Sequence, residues 1–354
     1  MGSFIVSARK YRPETFDTVG GQQHITETLV NEITNDRLAQ AFLFCGPRGV
    51  GKTTCARILA KEINKGTVPE GYDYSFNIFE LDAASHNSVD DIRALNEQVR
   101  IPPQTGDYKV YIIDEVHMLS QAAFNAFLKT LEEPPKYAIF ILATTEKHKI
   151  LPTILSRCQV FNFDRITIPQ IVAHLKGIAA DEKIDAEEEA LHLIAQKADG
   201  AMRDALSIFD QMASFGTEGK ISYQEVIDNL NILDYDYFFK VVDTFLAGDI
   251  SAALVLFNEI LQKGFDGELF LHGLANHMRD LLVAQNASSQ QLLEKSKEIA
   301  GRYHKQSQEV SASFIVNAIN ILGETGTTYK TSRNQRLHIE LALIKLASLK
   351  HAID

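Results

Sequence analysis

Cysteine is scarce in this chain: Cys45, Cys55 and Cys158 are the only three among 354 residues. The number is odd, the positions are scattered and no CxxC pair occurs. That excludes a disulfide framework and a cysteine-rich zinc site, and it points to a reducing, cytoplasmic setting. Long apolar runs are missing too. The N-terminus, MGSFIVSARKYRPETF, has neither an apolar stretch nor a cleavage-site pattern, so no signal peptide is expected. Nothing approaches the roughly 20 apolar residues that a membrane span requires, so no membrane partner is expected. Positive charge is in deficit, with 35 Lys and Arg against 46 Asp and Glu, a net of −11. This excludes a broadly basic nucleic-acid coat. It leaves room for a local DNA-binding strip, because residues 1–165 hold 18 Lys and Arg against 20 Asp and Glu, whereas residues 166–228 hold 5 against 12. Low-complexity tracts and internal repeats are absent. The remainder is that of a globular protein, 45% hydrophobic and 23% charged, long enough for two or three domains that need no disulfide or metal to fold.

Residues 1–165 alternate strand-like and helix-like segments. AFLFCG (41–46), IFEL (78–81), KVYIID (109–114) and YAIFILAT (137–144) read as four strands. Helical spacing follows from Lys52 to about Ile63, over 89–99 and over 122–133, where Pro134-Pro135 must end the helix. Near-continuous apolar strands separated by helices predict a parallel sheet with helices covering it. From about residue 166 the strand signals fade. Residues 169–214 read as short helices broken near Lys183–Asp185 and at Asp199-Gly200, and residues 222–351 carry helical periodicity throughout. The expected domains are 1–165 (α/β nucleotide-binding), 166–217 (small, helical) and 218–354 (all-helical).

Gly46-Pro47-Arg48-Gly49-Val50-Gly51-Lys52-Thr53 fits GxxxxGK[ST]. The glycines let backbone N–H groups face a phosphate, and the helix that starts there adds its positive end. Lys52 would reach the β/γ-phosphates of ATP, and the Thr53 hydroxyl would bind Mg²⁺. With Gly at about 7% of residues, a chance match is on the order of one in a hundred. The apolar strand before the loop and the helix after it lower that further. VYIIDEVH (110–117) is an apolar strand ending in two carboxylates. Alone it is a weak signal. Some sixty residues after the loop, it places Asp114 in the Mg²⁺ shell and Glu115 where it would orient and polarise an attacking water.

Further segments carry a family resemblance: ARKYRPETFDTVGGQQH (8–24), AFLFCGPRGVGKTT, ELDAASHNSVDDIR (80–93), VYIIDEVHMLSQAAFNAFLKTLEEPP (110–135), ILATTEKHKILPTILSRCQVFNF (141–163) and GAMRDALSIFDQ (200–211). In order and spacing they resemble the gamma/tau subunits of bacterial DNA polymerase III, the AAA+ ATPases of the sliding-clamp loader. The match is nearly continuous over 8–212; beyond 220 it rests on helical character and position. The resemblance implies a P-loop AAA+ domain, a helical lid and an all-α collar. It adds Thr54 to the loop that cradles ATP and makes Asp114 and Glu115 the metal-binding and catalytic carboxylates. Thr145, with Thr144 second, would sense the γ-phosphate. Arg157 would be an arginine finger acting in trans on the neighbouring subunit's ATP. Arg203 would reach from the lid to the γ-phosphate, and Arg9, Tyr11, Arg12, Pro13 and Val19 would lie near the adenine. The implied partners are the other clamp-loader subunits in a five-subunit ring, the sliding clamp and primer-template DNA.

The chain also departs from that family. Members commonly carry a four-cysteine zinc module after the P-loop helix. Here the stretch NKGTVPEGYDYSFN (64–77) has no cysteine, and no zinc is expected. Among the positions that would track template phosphates, His86, Asn87 and Ser88 supply no firm cation, which leaves Lys129 as the candidate. Longer members continue into segments that bind polymerase and helicase; with the sequence stopping at Asp354, those functions are not expected. Two alternatives remain open. Another AAA+ machine, a helicase loader or a Holliday-junction motor, is disfavoured by Ser156-Arg157-Cys158 and LKTLEEPP. A non-hydrolysing scaffold subunit is disfavoured by the intact Lys52, Thr53, Asp114 and Glu115.

Overall fold

The computed structural model describes residues 6–215 and 219–353. The chain divides into two compact units, residues 1–220 and 221–354. The first is built on five parallel strands, β1 (Ala41–Cys45), β2 (Ile78–Asp82), β3 (Lys109–Asp114), β4 (Ala138–Thr144) and β5 (Gln159–Asn162), in the spatial order β2-β3-β4-β1-β5. Strands β1 and β4 are buried along their whole length, and β3 is buried up to Asp114, which is why all three read as unbroken apolar runs. Alternate residues serve opposite layers. Phe42, Phe44, Ile112 and Ile141 pack with Cys55, Ile58 and Leu59, whereas Leu43, Tyr111, Phe140 and Leu142 pack with Ile92, Phe124 and Phe127. Strand β5 escapes the sequence pattern because it is a short edge strand in which only Phe161 is buried.

Helices cover both layers: α1 (Ser7–Lys10), α2 (Gln23–Thr34), α3 (Lys52–Glu62), α4 (Val89–Val99), α5 (Gln121–Glu132) and α6 (Pro152–Leu155). Local chemistry sets several of their starts. Ser88 and Asp91 form a capping box at α4, and Ser120 caps α5. The short Pro152–Leu155 helix begins at proline. Three more helices follow: α7 (Ile168–Glu182), α8 (Glu188–Lys197) and α9 (Met202–Phe215). The breaks fall where turn residues predict them, at Lys183 (φ 57°) and at Asp199-Gly200 (φ 48° and 79°).

The cysteine-free stretch after α3 is pinned by two fully buried asparagines. Asn64 accepts from Tyr108 N at 3.0 Å. Asn77 donates to Thr105 O (2.8 Å) and Tyr108 O (2.9 Å) and accepts from Tyr72 Oη (2.8 Å). Among the described residues no group of three or more His, Cys, Asp and Glu could hold a metal ion.

The second unit is helical: α10 (Tyr223–Leu230), α11 (Tyr235–Ala247), α12 (Ile250–Gln262), α13 (Gly267–Ala284), α14 (Lys297–Ser307), α15 (Ala312–Tyr329) and α16 (Gln335–Ile353). Its core joins Phe245, Phe257, Phe270, Leu281, Ile315 and Leu343. A polar cluster lies inside it. His277 meets Tyr303 Oη through Nδ1 (2.8 Å) and Gln306 Oε1 through Nε2 (3.1 Å). Gln306 uses its own N–H groups on Phe239 O and Asp243 Oδ1. Its Oε1 is therefore an acceptor, which fixes His277 as the neutral Nε2–H tautomer. No helix among the described residues is long and apolar enough to cross a membrane.

Candidate functional site

A cleft of about 870 Å³ opens at the carboxyl ends of β1, β2 and β3, the place where an open parallel sheet binds ligands. The loop after β1 forms its floor. Gly46, Gly49 and Gly51 have φ of 149°, 76° and 107°, in the region that side chains disfavour. Space is equally restrictive. A Cβ on Gly46 would lie 2.4 Å from Phe163 O, and one on Gly49 would lie 3.0 Å from Ala201 Cβ. The Lys52 amine folds onto its own loop, donating to Gly46 O (2.8 Å) and Pro47 O (2.7 Å). Burial pushes its pKa down, while the Glu115 and Asp114 carboxylates pull the other way. Arg48, Val50, Thr53 and Thr54 also line the cleft.

The acidic end of β3 faces this loop. Thr53 Oγ1 donates to Asp114 Oδ2 at 2.7 Å, and Glu115 N donates to Asp114 Oδ1 at 2.9 Å. Two hard oxygen groups from α3 and β3 thus already share one spot, a donor set that suits Mg²⁺. Glu115 lines the cleft at φ 48°, and its Oε2 accepts from Thr145 Oγ1 at 3.1 Å. Strand β4 lies between β3 and β1, so its end brings Thr145 to the carboxylate. Thr144 is buried and turns elsewhere, to His117 Nδ1 (3.0 Å) and Glu146 N (3.0 Å).

The far wall comes from the N-terminal segment and from α7 and α9. Arg9, Tyr11, Arg12, Pro13 and Val19 all line the cleft, as does Arg203. Arg203 N approaches Gly49 O at 3.4 Å. The N-terminal segment is tied to these helices: Ser7 N donates to Asp210 Oδ2, and Lys10 Nζ and Tyr11 Oη converge on Glu182 Oε1 at 2.6 and 2.7 Å.

Six predicted residues lie outside the cleft's lining: Gly46 and Pro47 at the start of the loop, Thr144 and Thr145 at the end of β4, Arg157 and Lys129. Arg157 is held at the end of α6, donating to Thr153 O (2.6 Å) and pairing with Glu132 (2.6 Å). Lys129 is exposed on α5. Ser88 is occupied by its capping box, while His86 and Asn87 are exposed before α4. Burial pushes the Cys158 thiol up to about 12, so beside Arg157 it packs and does not react. Three groups escaped the sequence reading. His117 sits between Glu115 and Glu146, half-buried His174 lines the cleft, and Arg57 pairs with Glu80 at its edge. His117 was detectable only as the residue two places after a carboxylate already singled out; the other two carry no motif.

The family models described as DNA polymerase III, delta subunit, DNA polymerase III clamp loader subunit, ATPase lid domain, and DNA polymerase III subunits gamma and tau domain III match residues 21–167, 170–218 and 221–354. The chain is 39% identical to the Bacillus subtilis DNA polymerase III subunit tau over 97% of its own length, and spans 63% of that relative. It is 34% identical to the DNA polymerase III subunit gamma of Buchnera aphidicola, covering 98% of both chains. Among solved structures, the Thermotoga maritima RuvB Holliday junction branch migration motor matches with a TM-score of 0.51 at 22% identity, over 67% of this chain and 79% of that one. This is a likeness of fold. The sheet with its P-loop, the helices that close the cleft, the helical second unit and the two subunit relatives agree: the chain belongs to the DNA polymerase III gamma and tau subunit family.

Proposed function

We propose that the chain is the ATP-hydrolysing motor subunit of a clamp loader, using ATP binding and hydrolysis to place a sliding clamp on primed DNA in the cytoplasm. The observation that carries this is the meeting, in one cleft, of the Thr53–Asp114 pair, the loop residues Arg48 to Thr53 and the Glu115 carboxylate, which Thr145 holds from the end of β4. In this reading the loop's N–H groups and the Lys52 ammonium hold the triphosphate, and Lys52 leaves its two carbonyl partners to do so. Thr53 and Asp114 would hold Mg²⁺, which when bound neutralises phosphate charge. Glu115 orients and polarises the attacking water, with Thr145 fixing its carboxylate. Arg9, Tyr11, Arg12, Pro13 and Val19 receive the base, and Arg203 senses the γ-phosphate from the lid.

Arg157 serves the ATP of the next subunit in a five-membered ring. Its place outside its own cleft supports that reading, and a finger supplied in trans makes hydrolysis depend on assembly. We assign residues 1–165 to the AAA+ domain, 166–217 to the lid and 218–354 to the collar. The partners are the other loader subunits, the clamp and primer-template DNA, with Lys129 the candidate phosphate contact.

The test is the ATPase rate with and without clamp, primed DNA and the other loader subunits. A large increase is expected on full assembly. Turnover at background with every component present would leave a scaffold in place of a motor.

A further inference from the structure

We propose that His117 is a positioning residue that confines Glu115 for hydrolysis, its ring locked to the polar end of β4 and standing beside the carboxylate. The proposal rests on the ATPase reading above. Glu115 needs such support. Its φ of 48° is costly for a residue with a side chain, and such strain persists only where neighbours over-determine the conformation. A backbone bond from Met118 N to Glu115 O (2.8 Å) closes the short 3₁₀ turn Val116–Met118, and that turn swings His117 back beside the carboxylate.

The imidazole there is nearly sealed, with its side chain 7% exposed. Nδ1 lies 3.4 Å from Glu115 Oε2 and 3.0 Å from Thr144 Oγ1, and Nε2 lies 3.1 Å from Glu146 Oε2. Thr144 Oγ1 already accepts from Glu146 N, so its proton is available to Nδ1. A carboxylate can only accept, so Nε2 carries the proton that faces Glu146. Both ring nitrogens therefore face partners at the end of β4, which sets the orientation of the ring. Glu146 is braced in its turn by Lys149 Nζ at 2.7 Å. The locked ring stands as a barrier on one side of Oε2, to which its Nδ1 gives no proton, while the Thr145 hydroxyl donates to Oε2 from another. Glu115 Oε1 has no hydrogen-bond partner among the described residues. The geometry is that of a general base with one oxygen clamped and the other free to take a proton from water.

A base displaced by about 1 Å loses rate without losing substrate, since the triphosphate is held by the loop and Lys52. The experiment uses the full chain assembled with the loader subunits, clamp and primed DNA. His117→Leu keeps the volume and removes both nitrogens. It should lower kcat by about tenfold to a hundredfold, with the affinity for a non-hydrolysable ATP analogue within about twofold of the parent. His117→Gln, whose amide can accept from Thr144 and donate to Glu146, should recover most of the loss. A His117→Leu chain with parental kcat overturns the proposal. So does one that loses nucleotide affinity in step with turnover, or a His117→Gln chain no better than leucine, because each leaves His117 a packing role. Glu115→Gln is the control for the reading beneath: if it keeps turnover, the assignment of the base fails whatever His117 does.

Discussion

At the scale of single residues, the nucleotide site is a set of positions where one atom decides. Gly46 is the sharpest. Its φ of 149° and the 2.4 Å that would separate an added methyl from Phe163 O leave no room for a side chain. Gly46→Ala should therefore abolish ATP binding, in equilibrium titration with a fluorescent analogue, while the sheet beneath stays folded. Lys52→Ala should do the same for a different reason, by removing the cation that replaces phosphate solvation. If either chain bound ATP with parental affinity, the loop would not be the phosphate site. The motif located these residues in the sequence because their chemistry depends on local spacing. His117 was not legible, because its meaning comes from Thr144 and Glu146, 27 and 29 positions along the chain, which only the pairing of β3 with β4 brings close.

At the scale of elements, four strands and the helices over 52–63, 89–99 and 122–133 were legible, and β5 and the 64–77 loop were not. Strands β1, β3 and β4 declare themselves by burial on both faces, whereas β5 has a single buried residue and so resembles a loop. In the loop, hydrogen bonds close the turn, and Asn64 and Asn77 carry no pattern that separates them from surface asparagines. Their importance can be measured. Asn77→Ala would strip the Thr105 and Tyr108 carbonyls of a donor, at a cost of about 1–3 kcal/mol. Urea unfolding should show that loss while ATP affinity stays unchanged, since the residue does not line the cleft. An unaltered midpoint would mean that the loop closes by other contacts.

At the scale of the whole molecule, the helical second unit carries an acid sensitivity. Burial holds His277 down to about 3. In the unfolded chain the same imidazole takes a proton near its ordinary value, about 6.5. Between those values the unfolded state binds more protons, so acid favours unfolding. Stability is full above the upper value and falls as pH drops through the window, by about 1.4 kcal/mol per pH unit. Urea unfolding of the full chain at pH 7 and pH 5 should show this, and His277→Gln should flatten the difference. Assembly supplies the other prediction at this scale. Arg157→Ala should leave nucleotide binding by the isolated chain intact and remove most of the assembly-stimulated hydrolysis, where fingers of this kind contribute about 10³–10⁵ in rate. Loss of binding by the isolated chain would show that the guanidinium serves its own site.

The sequence by itself determined the parts whose physics is local: the glycine-rich loop after an apolar strand, the carboxylate pair at a strand end and the apolar strands themselves. It could do so because a P-loop and a buried strand each need particular residues within a few positions. The tertiary structure alone decided the contacts made across the chain. These are Thr53 on Asp114, Thr145 and His117 around Glu115, the N-terminal segment tied to Glu182 and Asp210, and a neutral histidine sealed among helices. Those depend on which strands are neighbours and which helix faces pack together, and burial of the whole core, more than any short stretch of residues, sets that.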